Sequence, residues 1–156
     1  MKKFNRPAVI LSTLMIIIVG GVVTQVYSHC QIPCGIYDDP ARLQEIAEHI
    51  TTIEKAMVRI SDLSKTDNPN MNQIVRWVNN KEDHAGQLNE IVTYYFMAQR
   101  VKPVEADSPD YKRYIEQLTL LHKMQVTTMK CKQTTDLKNV ETLKKLLGEF
   151  SHAYTK

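Results

Sequence analysis

The chain has 156 residues with 20 basic and 17 acidic side chains, a formal charge of +3, which is the length of one domain. The basic excess is carried by Lys2, Lys3 and Arg6 alone. The rest of the chain is formally neutral, and that excludes the basic surface a nucleic-acid binder needs.

Residues 1–28 read as an export leader. A basic start is followed by an apolar run from Ala8 to Val23 with no acidic residue. Val26 and Ser28 are small enough for a signal peptidase to cut after Ser28. The competing reading is an uncleaved membrane anchor. The run is shorter than the ~20 residues that normally span a bilayer and is broken by Gly20-Gly21, so cleavage is the expectation. It places the mature protein in the periplasm or outside the cell, with a processing peptidase as partner and membrane contact only through the leader.

Cleavage there would expose His29-Cys30-Gln31-Ile32-Pro33-Cys34-Gly35-Ile36-Tyr37 as the new N-terminus. The freed amine of His29, the amide nitrogen of Cys30 and the Cys30 thiolate can chelate one ion in consecutive small rings. Cys34 can close the set if the chain turns back. Pro33 fixes φ and Gly35 permits an unusual one, which suits such a turn. The outcome is a planar N₂S₂ set with the His29 imidazole available above it, a geometry suited to Ni(II) or Cu(II) rather than Zn. The bland alternative is a disulfide between Cys30 and Cys34, which would close too short a loop to stabilise much. The third cysteine, Cys131, reads as a free surface thiol.

The remainder, 38–156, is patterned as helices. Leu43, Ile46, Ile50, Ile53, Met57, Ile60 and Leu63 recur at spacings of three and four, after an Asp39-Pro40 start. The turn at 64–70 leads to a second helix over 70–99, with Ile74, Val78, Leu88, Ile91, Val92, Tyr95 and Phe96 on its apolar face. Its polar middle, 79–85, reads equally as a loose turn or a buried polar patch. Tyr94-Tyr95-Phe96 suits core or a subunit interface. Ser108-Pro109 opens a third helix with Tyr111, Tyr114, Ile115, Leu118, Leu121 and Met124 on one face. A fourth covers 136–152 through Leu137, Val140, Leu143, Leu147 and Phe150. His49, His122 and His152 read as surface or helix-end residues. Four such helices with short links predict an all-α, up-and-down four-helix bundle preceded by the 29–37 segment.

At 29–37 the chain resembles the nickel-binding hook of the nickel superoxide dismutases. Their pattern His-Cys-x-x-Pro-Cys-Gly-x-Tyr is matched at every fixed position, by His29, Cys30, Pro33, Cys34, Gly35 and Tyr37. The resemblance implies a four-helix bundle assembled as a homohexamer, one nickel ion per subunit, and an oxidoreductase that dismutates superoxide through Ni(III)/Ni(II) cycling. It implies nickel ligation by His29, Cys30 and Cys34, with Tyr37 at the substrate entrance. Gln31 departs from members with Asp at that position. The family's Glu that orients the hook histidine has its counterpart in Glu45. The matching Arg has none, since Ala85 lies near the equivalent place, which leaves Lys81 or His84 to serve. A secreted Ni/Cu carrier without redox turnover is the alternative function.

Overall fold

A computed structural model describes residues 35–155. The leader (1–28), the cut after Ser28 and the hook residues His29, Cys30 and Cys34 lie outside that range. The described residues form α1 (Asp39–Ser64), α2 (Met71–Glu90), which runs on as a π-helix (Ile91–Arg100), α3 (Tyr111–Gln133) and α4 (Lys138–Thr155). The helices pack in a ring: α1 on α2, α2 on α3, α3 on α4 and α4 on α1. This is the expected four-helix bundle, and the described residues contain no strand. Among them, no helix is long and apolar enough to cross a membrane.

The core follows the predicted stripes on α1, α2 and α4. Ile46, Ile50, Ile53 and Met57 meet Leu88, Val92 and Phe96, and Val140, Leu143 and Phe150 close the far side. Phe96 lies edge-on to Phe150 with ring centroids 5.0 Å apart, a favoured aromatic geometry. On α3 the buried face is turned from the one expected. Tyr111 and Ile115 are exposed, while Gln117, Leu120, Thr127, Thr128 and Cys131 are buried beside Leu121 and Met124. Polar residues serve as core here because each finds a bond. Gln117 donates to the Ala153 carbonyl at 2.9 Å, and Thr128 donates to the Met124 carbonyl at 2.8 Å. An apolarity count along the sequence misses such positions.

The helix starts shift by a residue or three. Asp38, not Asp39, caps α1: its side chain accepts from the Ala41 amide at 3.1 Å. Asp39 is thereby the first helical residue and its carboxylate is free for other partners. Asn70 caps α2, accepting from the Gln73 amide at 3.2 Å. Ser108 accepts from the Asp110 amide, but α3 begins only at Tyr111.

The polar stretch 79–85 is continuous helix and carries the buried patch. Lys81 is 4% exposed, and its ammonium donates to the Cys131 carbonyl at 2.9 Å and to the Lys132 carbonyl. Those are among the last carbonyls of α3, which have no partner within their own helix. A cation there also meets the negative end of the helix dipole. Cys131 is fully buried, not a surface thiol. Burial pushes its thiol up to about 11, with Lys81 pulling slightly the other way.

Candidate active site

The described chain enters the bundle through Gly35, whose φ of +76° lies in the left-handed region. A Cβ at Gly35 would meet nothing within 4 Å. The backbone conformation, not crowding, therefore demands glycine. Ile36 is then 78% exposed, and Tyr37 turns back onto the bundle, still 41% exposed.

Tyr37 lands on the π-helix. The guanidinium carbon of Arg100 lies 4.4 Å from its ring centroid, and Tyr95 meets the ring edge-on at 5.9 Å. Its hydroxyl is 3.5 Å from Gln99 Oε1, at the outer limit of a hydrogen bond. Gln99 is itself held by its amide, which donates to the Tyr94 carbonyl at 2.7 Å.

Beneath Tyr37 lies a carboxylate with four donors. Arg100 donates through Nε to Asp39 Oδ1 at 2.8 Å and through Nη2 to Oδ2 at 2.7 Å. The Tyr95 hydroxyl donates to Oδ1 at 2.6 Å, and the Tyr154 hydroxyl to Oδ2 at 2.9 Å. The Arg100 hydrogen bonds, aided by the two phenols, hold the Asp39 carboxyl at about 2 against the burial that would raise it. Burial, then the bond to Asp39, pushes the Tyr95 phenol up to about 12. Tyr154 rises for the same reasons.

The wide helix makes this convergence possible. Tyr95 and Arg100 are five residues apart, which in an α-helix turns the second about 140° from the first. In a π-helix the hydrogen bonds run to the fifth residue, so such a pair shares a face. The Val101 amide donates to the Phe96 carbonyl at 2.8 Å, one of the bonds of this wide spacing.

Beside the cluster is a cavity of ≈ 250 Å³ lined by Arg42, Glu45, Gln87, Glu90, Ile91, Tyr94 and Tyr95. Glu45 sits in it, paired with Arg42 at 2.5 Å. Arg42 in turn lies over the Tyr95 ring, 5.5 Å from its centroid. Tyr37 directly, and Glu45 through Arg42, are thus both linked to one residue, Tyr95. His84 meets α1 at His49, one turn beyond Glu45, with its Nδ1 2.8 Å from Nδ1 of His49. Lys81 is committed to the end of α3. The cation on Glu45 is therefore Arg42, one helical turn earlier on the same helix, a pairing legible as an i,i+3 Arg–Glu spacing. His49 is 8% exposed rather than on the surface. Burial and the neighbouring His84 lower its pKa, against Glu45 and Glu48. His122 and His152 are exposed as expected. Among the described residues no group of three or more His, Cys, Asp or Glu gathers as a metal site.

The family model for nickel-containing superoxide dismutase matches residues 24–156, which includes the whole of 29–37. The chain belongs to that family. The dismutase is accordingly an oxidoreductase that takes superoxide as substrate and nickel as cofactor. Comparison with curated proteins and with solved structures gives no match.

Proposed function

We propose that the dismutase works at its mature N-terminus, with nickel held by the His29 amine and ring, the Cys30 amide nitrogen and thiolate, and the Cys34 thiolate. The family match across 29–37 carries this reading. The donor chemistry fits the group, since nitrogen and thiolate donors of this kind would hold a divalent first-row metal such as nickel. The left-handed Gly35 directly after Cys34 supports the turn such a set requires. Bound nickel supplies one-electron chemistry through the Ni(III)/Ni(II) couple.

The chain's own residues supply the rest. Cys34 and Tyr37 are three positions apart, at most about 11 Å between their Cα atoms when extended. A substrate anion near Cys34 is therefore within reach of the Tyr37 hydroxyl, which can donate to a superoxide oxygen. Two superoxides and two protons give dioxygen and hydrogen peroxide, so a donor near the anion contributes to protonation as well as binding. On this reading Glu45, paired with Arg42, is the residue that would accept from the His29 ring and fix its orientation. On this reading Arg42 fills the place considered for Lys81 or His84. Export with removal of 1–28 by a peptidase, a periplasmic or extracellular location and assembly as a hexamer complete the proposal.

Before cleavage the nitrogen of His29 is a planar peptide nitrogen, unable to donate as an amine does. Precursor of verified mass, loaded with nickel and assayed beside protein starting at His29, should bind nickel weakly and show no dismutase activity. Equal activity in the two would refute the amine ligand and the maturation scheme built on it.

A further inference from the structure

Tyr37 is held unevenly. Its ring is gripped, by a guanidinium at 4.4 Å and by the Tyr95 edge at 5.9 Å. Its hydroxyl has only the 3.5 Å approach to Gln99, an oxygen whose own residue is pinned to the Tyr94 carbonyl. A side chain 41% exposed beside an exposed Ile36 has too little apolar contact to select one rotamer unaided. Of the two groups on the ring, Arg100 is the nearer, and it is held in place by both oxygens of Asp39. A free arginine would lose side-chain freedom on settling against a half-exposed ring. An anchored one offers its face to the ring at little further entropic cost.

We propose that Arg100, anchored on Asp39, is a positioning residue of the dismutase: it fixes the Tyr37 ring while leaving the phenolic hydroxyl unspent for the superoxide anion. The proposal rests on the reading of Tyr37 as the residue at the substrate entrance. It differs from a purely structural role for the Asp39–Arg100 pair, because it requires that Arg100 act on turnover through Tyr37 and through nothing else. The division of labour is physical. A tyrosine anchored through its hydroxyl would be ordered but already bonded; one anchored through its ring is ordered with its donor available.

The test uses mature, nickel-loaded protein carrying 3-fluorotyrosine, with nickel content matched among variants. The fluorine line of position 37 is identified by its loss in Tyr37→Phe. Arg100→Gln should move that line towards the free-tyrosine value and lower activity about two- to tenfold, the range a cation–π hold of this kind spans. The double variant Tyr37→Phe with Arg100→Gln should be no less active than Tyr37→Phe alone, and Arg100→Lys should restore part of both line position and activity. If Arg100→Gln left the line and the activity unchanged while Tyr37→Phe was impaired, the proposal would fall and the reading of Tyr37 would stand. A further loss from Arg100→Gln in the Tyr37→Phe background would overturn it too, by showing that Arg100 acts elsewhere. Full activity in Tyr37→Phe would overturn the reading of Tyr37 and the proposal with it. Should Arg100→Gln not fold, Asp39→Asn, which keeps the guanidinium but removes its anchor, must displace the same line, and an undisturbed line would overturn the proposal.

Discussion

Replacing Asp39 with Asn should cost the bundle about 2 kcal/mol at neutral pH, and the cost should vanish in acid. In the folded chain the Asp39 carboxyl sits at about 2 against an ordinary value of 3.8. At about 1.4 kcal/mol per pH unit that gap is worth roughly 2.5 kcal/mol. The side chain is 21% exposed, so solvent screening trims the figure to about 2 kcal/mol. The folded value lies below the unfolded one, so the unfolded state takes up the proton first. The stabilisation is therefore complete above pH ~4 and is lost as pH falls towards ~2. Asn keeps one acceptor oxygen, for one guanidinium N–H and one phenol, but its amide NH₂ faces the other guanidinium N–H and cannot bond it. Urea denaturation of metal-free parent and Asp39→Asn, at steps from pH 7 down to pH 2.5, gives the difference directly, with every other carboxylate common to both. A difference below ~0.5 kcal/mol at pH 7, or one that did not shrink between pH 4 and pH 2.5, would refute the assignment of Asp39 as the junction of α1, the π-helix and α4.

Burial and His84 lower the His49 pKa, so protonation opposes the fold and stability should fall as pH drops below ~6.5; in His49→Leu, denaturation midpoints at pH 7 and pH 5.5 should differ less than in the parent. Cys131→Ser should leave nickel content unchanged but lower stability by about 1–2 kcal/mol, because it puts a hydroxyl in a fully buried site, whereas Cys30→Ser or Cys34→Ser should abolish nickel retention by elemental analysis. The Cys131 thiol, held up to about 11, should resist a thiol reagent at pH 8 until the protein is unfolded. Gly35→Ala should cost roughly 1 kcal/mol of backbone strain at φ +76°, visible as about fivefold weaker nickel binding with the melting temperature of the bundle unchanged.

The helices were legible because each buries a stripe with a 3.6-residue period, and the caps at Asp38 and Asn70 obey ordinary chemistry. The face of α3 was not, because its core includes Gln117, Thr127 and Thr128, whose burial depends on bonds to carbonyls that a sequence does not display. The donor set of the hook was legible as chemistry that suits nickel or copper, and Tyr37 only through the family resemblance. The surroundings of Tyr37 were not. Nothing in the run Tyr94 to Arg100 announces a π-helix, since the same residues fit an α-helical stripe through Phe96 equally well. Nor does sequence distance suggest that Asp39 would gather Arg100, 61 positions on, and Tyr154, 115 positions on. The pairing of His49 with His84 was hidden for the same reason: each histidine looks ordinary until α1 and α2 are laid side by side.

The ten residues from Ile91 to Arg100 also make the placement of Arg100 depend on the length of this stretch. An exchange of one side chain for another leaves the winding alone. Deleting a single residue would let the segment tighten towards ordinary winding and send every residue beyond the deletion round the axis by a large angle. Phe96 could keep a place in the core while Arg100 swung off Asp39, so the protein could remain folded with its entrance dismantled. Variation among natural sequences at this segment should therefore be strict in count as well as in the side chains at Tyr95, Phe96 and Arg100, and a gap there would be a sign of lost activity.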